Sequence, residues 1–215
     1  MNFQLFIQKL KGQLKQPLPG EIAQLKMAPV ARLAYMEYFK EGSINSNQSA
    51  ILICLYPHLN SIYTVLMLRP SEQGAHSDQV SFPGGRFEEG DGSLEMTAVR
   101  EAQEEVGIEP SSLEMIGNLT PVYIPVSNYL VHPFVAASLT RPEFSMNKKE
   151  VRQIIETEIT PFLDNAIKHR GIFESGLRIE IEAPFYEVQE HKIWGATAMI
   201  LSELEAILQN LSPFA

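Results

Sequence analysis

The sequence predicts an α+β fold, a mixed sheet with helices at both chain ends and one in the middle. Three observations carry this. Strand-length apolar runs dominate from Ser49 onward. Apolar stripes of helical period occupy the two ends and the stretch 94–106. Glycine, proline and asparagine separate these segments. A length of 215 residues suits one well-cored domain, here divided into an N-terminal helical extension, 1–40, and a main domain, 41–215.

Phe3, Phe6, Ile7, Leu10 and Leu14 recur at helical spacing, so a first amphipathic helix ends near Pro17–Gly20. A second short helix covers Ile22–Met27 and stops at Pro29. Ala50–Tyr56 and Ile62–Arg69 read as two strands joined by a turn at Pro57–Ser61. Gln79–Phe82 is a shorter strand running into Pro83-Gly84-Gly85. The middle helix spans Leu94 to Val106, with Ser93 as N-cap and Gly107 at the position where a left-handed residue ends a helix. Glu114–Leu119 and Leu130–Leu139 are further strands, and Val151–Ile159 reads as strand or helix. Leu177–Ala183 and Phe185–Val188 read as a hairpin, followed by a last helix over Gly195–Gln209.

The net charge of −9 argues against nucleic acid and anionic membrane as partners. No apolar stretch reaches the length of a membrane span. The single cysteine, Cys54, sits in an apolar run and reads as a core residue in a reducing compartment. With no signal-peptide pattern at the start and no peroxisomal address in the final SPFA, the expected location is the cytoplasm. A homodimer is the commonest oligomer and is compatible with the sequence.

The segment 84–108 holds two leading glycines, one helix and seven carboxylates. Like charges on one helix repel by a few tenths of a kcal/mol per pair, roughly, so such a cluster asks for a cation. With Leu94 at zero on a helical wheel, Ala98, Ala102, Val106 and Val99 fall between about 40° and 140°, a stripe for docking on a sheet. Glu101, Glu104 and Glu105 fall at about 340°, 280° and 20°, an acidic arc bordered by Arg100. On charge pattern alone, an ordinary solvated helix face is the competing reading.

Spacing separates the two. Arg100-Glu101-Ala102-Gln103-Glu104-Glu105-Val106-Gly107-Ile108 matches the R-E-U-x-E-E-x-G-U core of the Nudix box, with Gly85 as its leading glycine. The sequence thus resembles the Nudix hydrolases. In that box five residues separate the glycine from a glutamate and seven separate the glutamate from the arginine; here Asp91 stands in its place, and eight residues separate it from Arg100. The resemblance implies a Nudix-type α/β/α sandwich and a site that holds Mg²⁺ or Mn²⁺ against a pyrophosphate. By matching positions, Glu101 and Glu105 are implied metal ligands, and Glu104 a ligand or outer anchor. Gly84 and Gly85 would admit the phosphate, and Arg100 would hold the carboxylates. A general base must deprotonate the attacking water; Glu101 is the helix candidate and Glu150 the preferred loop candidate.

Outside the box the chain resembles the Nudix branch that cleaves coenzyme A and its thioesters. Val65–Arg69, His76–Gly85, Pro125-Val126-Ser127, Pro133-Phe134-Val135, Asn147 with Glu150-Val151, and Ile193–Ala198 carry this likeness. Arg69 at a strand end suits a phosphate, since guanidinium binds it bidentately, and His76 can donate to phosphate or ribose. The expected substrate is coenzyme A or a related nucleotide. The alternatives are an ADP-ribose, nucleotide-sugar or oxidised-nucleotide pyrophosphatase, and a Nudix-fold binding module without activity.

Overall fold

The computed structural model describes residues 2–34, 45–71, 78–174 and 179–211. His76 and the expected boundary at residue 40 lie outside them. Strand β1 (Asn47–His58) is the axis of the main sheet. It pairs antiparallel with β2 (Ser61–Leu68), antiparallel with the short β4 (Gly84–Arg86), and parallel with β7 (Tyr129–Ser138). The sheet is therefore mixed. β3 (Val80–Ser81) and β8 (Gln153–Glu158) pair with β2, while β5 (Leu113–Asn118) and β6 (Val122–Ile124) pair with β7. The stretch that reads as strand or helix is thus a strand, β8.

Strand alternation sends the two sets of β1 side chains into two cores. Ala50, Leu52, Cys54 and Tyr56 meet Ala98, Ala102 and Val106 of α4 (Leu94–Val106). Ile53 and Leu55 face the opposite core, built by Phe6 and Leu10 of α1 (Phe3–Gln13) and by Leu201 and Leu204 of α5 (Gly195–Gln209). Helices thus cover both faces of a mixed sheet, an α/β/α sandwich. Cys54 is fully buried and burial pushes its thiol up to about 12, which makes it an inert core residue.

The N-terminal helices α1 and α2 (Gly20–Gln24) pack on this second face, while α3 (Val30–Ala34) lies against the strand Glu180–Val188. A buried carboxylate ties them to the far end of the chain. Glu203 on α5 accepts hydrogen bonds from Gly20 N (3.1 Å), Gln24 Nε2 (2.8 Å), Thr120 N (3.1 Å) and Thr120 Oγ1 (2.7 Å). Four donors offset the desolvation of a group with no exposed surface.

A second, three-stranded sheet consists of β9 (Lys168–Glu174), β10 (Glu180–Val188) and β11 (His191–Trp194). Here the structure corrects the expected hairpin between Leu177–Ala183 and Phe185–Val188. The chain does not turn at Pro184, which sits inside β10 opposite Arg170 of β9. The turn comes later, at Gln189 with φ +55°, and returns as β11. Lys168-His169-Arg170-Gly171 has weak strand propensity, so β9 is visible only through its pairing with β10.

Candidate active site

Helix α4 begins where the sequence places it. The Ser93 hydroxyl accepts from Met96 N at 3.2 Å, and Gly107, at φ +76°, closes the helix by donating to Ala102 and Gln103 carbonyls. Its apolar stripe docks on β1, so its acidic edge lies against β4, the Gly84-Gly85-Arg86 strand.

The two glycines serve different contacts. A Cβ on Gly84 would overlap the Ala50 carbonyl and Ile51 Cα of β1, so Gly84 lets β4 lie close on the sheet. A Cβ on Gly85 would instead overlap the Glu101 carboxylate. Gly85 is therefore the floor on which that carboxylate rests.

The three helix glutamates differ in environment. Glu105 is 3% exposed; its Oε2 accepts the Gly84 N–H at 2.8 Å and its Oε1 lies 3.8 Å from Arg69 Nη2. Burial raises its carboxyl to about 8, an effect opposed by Arg69 and the Gly84 N–H and reinforced by the charges of Glu101 and Glu150. Glu101 is partly buried, and burial raises its pKa too, against the pull of Arg100 at 3.0 Å. Glu104 points to solvent and binds Arg100 Nη1 at 2.9 Å.

Arg100 organises this edge. Its Nε and Nη2 donate to the two oxygens of Asp91 at 2.6 and 3.1 Å, and Nη2 also reaches the Arg86 carbonyl at 3.2 Å. The Thr97 hydroxyl donates to Asp91 at 2.7 Å, and Asp91 in turn caps Glu88 N. Paired this way, Asp91 is held well below the usual carboxylate range, first by the Arg100 hydrogen bonds. The shorter acid on the longer loop thus faces Arg100.

Arg69, at the end of β2, donates to the Gly84 carbonyl at 3.1 Å and to Ser81 Oγ at 3.3 Å, and remains 30% exposed at its side chain. Glu150 lies on an exposed turn. That turn is tied to the end of α4 by Asn147 N donating to the Glu105 carbonyl (3.0 Å) and Ser145 N to the Val106 carbonyl (2.9 Å). Asn147 then closes the turn by accepting from Lys149 N on Oδ1 (3.2 Å) and from Glu150 N on its carbonyl (3.0 Å). This places the Glu150 charge where both Glu101 and Glu105 feel it. Sequence reasoning noted Asn147 and Ser81 only as parts of a likeness and gave neither a role. An asparagine two residues before Lys149 is an Asx-turn signal that identifies the first; no local signal identifies the second.

Among the described residues, no three His, Cys, Asp or Glu side chains already converge as a metal cage. Arg100 draws Glu101 and Glu104 to itself, while Glu105 turns to Gly84. The donor set nevertheless fits a hard divalent ion. Two carboxylates that burial and mutual repulsion push toward protonation lie along a glycine strand, and Mg²⁺ commonly takes one or two carboxylates and fills its remaining positions from phosphates and water.

The sequence pattern of the NUDIX domain matches residues 46–169. An uncharacterized Nudix hydrolase, NudL, of Citrobacter koseri is 34% identical over 165 residues, covering 75% of this chain and 83% of that one. Nudix hydrolase 22, chloroplastic, of Arabidopsis thaliana is 28% identical over 192 residues, covering 86% and 63%. The crystal structure of a Nudix hydrolase from M. smegmatis, RenU, superposes with a TM-score of 0.54 at 14% identity, covering 79% of this chain and 89% of that one. Nudix hydrolases generally depend on divalent metal. With the box residues on α4 and β4 as described, the chain belongs to the Nudix family and is a hydrolase of phosphoanhydride bonds in nucleoside diphosphate derivatives.

Proposed function

We propose that this protein is a Mg²⁺- or Mn²⁺-dependent pyrophosphohydrolase of coenzyme A and its thioesters. Water adds to one phosphorus of the diphosphate and the bridging P–O bond breaks, giving 3′,5′-ADP and phosphopantetheine or its acyl form. The observation that carries this reading is Arg69. Its half-open guanidinium stands at the Gly84 carbonyl and 3.8 Å from Glu105, a cation beside the carboxylates where an anionic diphosphate must lie. The likeness of the flanking stretches 65–69 and 76–85 to the coenzyme A branch supports the choice of substrate.

In this reading Glu101 and Glu105 would hold the metal, with Glu104 as a further ligand or outer anchor. When bound, the metal neutralises the diphosphate and shares the charge on the attacking and leaving oxygens. Arg100 orients Glu101 and Glu104 through the bonds described above. Gly84 and Gly85 leave room for the phosphate. Glu150 takes the proton from the attacking water; its exposure leaves it free to meet water, whereas Glu101 is bonded to Arg100. His76 would donate to phosphate or ribose. The buried, unreactive Cys54 accords with a reducing cytoplasm.

Turnover of coenzyme A, acetyl-coenzyme A, ADP-ribose and 8-oxo-dGTP with Mg²⁺ or Mn²⁺ tests the proposal. Coenzyme A or its thioester should give the highest kcat/KM, with 3′,5′-ADP as product. A clear preference for ADP-ribose or the oxidised nucleotide would overturn it.

A further inference from the structure

Among the described residues, β9 is an edge of the three-stranded sheet, bonded to β10 on one side. His169, Arg170, Ile172 and Glu174 are all exposed, and Ile172 is 69% exposed, so the edge stands open to solvent. An uncovered edge presents unpaired backbone donors and acceptors to any strand of matching character.

The character of this strand is polarised. Its first half is Lys168-His169-Arg170 and its last residue is Glu174. Within one copy Glu174 lies directly opposite Glu180 of β10, and Glu182 follows two residues on. Directly opposed like charges destabilise a strand pair, and β10 supplies no cation opposite Glu174. Arg170 reaches only as far as Glu182, at 3.7 Å, with both side chains more than half exposed.

We propose that the β9 edge pairs antiparallel with β9 of a second copy of this chain, about a two-fold axis at Gly171. The two three-stranded sheets then join into one of six strands. In this register Lys168 falls opposite Glu174 of the second copy, His169 opposite Phe173, and Arg170 opposite Ile172. All seven residues pair, and no like charges face each other. Lys168 is already bonded to the buried Glu205 at 2.6 Å, so Arg170, diagonal to the second copy's Glu174, is the cation that reaches it. The exposed Ile172 side chains of the two copies become diagonal neighbours on one face. Gly171, with no side chain, stands at the axis. Parallel pairing would instead set each charge against its own copy and is disfavoured. The two-fold contact is isologous, as in most homodimers.

Sedimentation velocity on the full chain over a concentration series tests this. The wild type should show a monomer–dimer equilibrium, and Ile172→Lys should weaken it by about tenfold or more. Arg170→Glu and Glu174→Arg should each be monomeric alone, because every dimer would then place like charges at both diagonal contacts. Mixed one to one, they should form a heterodimer, because both diagonal contacts are then opposite in charge. Far-UV circular dichroism and metal-dependent turnover should match the wild type in every variant, since β9 carries none of the site residues. A wild type that stays monomeric at sub-millimolar concentration overturns the proposal. So does a dimer that Ile172→Lys leaves intact, or a mixture that fails to associate.

Discussion

Gly85 lies directly beneath the Glu101 carboxylate, so close that a single methyl group on Gly85 would overlap the carboxylate oxygens. Gly84 has no such contact with Glu101; its open side faces the backbone of β1. Adjacent glycines therefore separate two properties that mutation normally mixes.

Gly84→Ala should lower stability by about 3 kcal/mol, because strand backbone cannot yield to the new methyl. Gly85→Ala should change the melting temperature little, because the far end of the Glu101 side chain can swing away. Its turnover should fall by about a hundredfold or more through that displacement. Thermal melts beside metal-dependent kcat measurements distinguish the two; equal effects from both would refute this division.

Glu105→Gln should reduce turnover by about 10³-fold, the expected outcome of the proposal that Glu105 holds the metal. The metal-free protein should remain folded, because the amide oxygen can still accept the Gly84 N–H. Differential scanning calorimetry without metal, paired with product formation at saturating Mg²⁺, checks both halves.

The same residue sets a pH dependence. Burial raises the Glu105 carboxyl from the ordinary 4.5 to about 8. Between those values the native, metal-free chain keeps a proton that the unfolded chain has released, so this group's contribution to stability falls as pH rises through that window. A divalent ion requires the carboxylate, so the stabilisation by Mg²⁺ should be greater at about pH 8.5 than at about pH 6. Melting curves with and without metal should show this, and the metal-free slope should be shallower in Glu105→Gln. An identical slope in that variant would count against the assignment.

Asp91→Asn should cost about 2–3 kcal/mol, since it leaves the Arg100 guanidinium without its bidentate partner. The Asp91 pKa is depressed, so the stability it contributes is present above the ordinary 3.8 and is lost as pH falls below it. Acid titration followed by circular dichroism should show the wild type losing stability over that range and Asp91→Asn losing less.

Much of the site was legible in the sequence because it is local. The box is one loop and one helix, its stripe and caps follow from spacing, and α4 begins and ends where Ser93 and Gly107 place it. The helical wheel set Glu101, Glu104 and Glu105 on one arc but could not rank them. Their difference arises from where α4 docks, which sinks Glu105, next to the apolar stripe, against Gly84 and turns Glu104 outward. The expected hairpin at 177–188 failed for the converse reason. Pro184 signals a break locally, yet pairing with β9 keeps it within one strand.

By itself the sequence determined the fold class, the bounds of α4 and the reaction type, because each depends on residue kinds at short spacings. Only the tertiary structure decided which carboxylates are buried, that Asp91 faces Arg100, that Asn147 ties the Glu150 turn to α4, and that Glu203 joins both ends of the chain. Those outcomes depend on contacts between segments remote in sequence, where burial and the competition for hydrogen-bond partners are settled only once the sheet has brought them together.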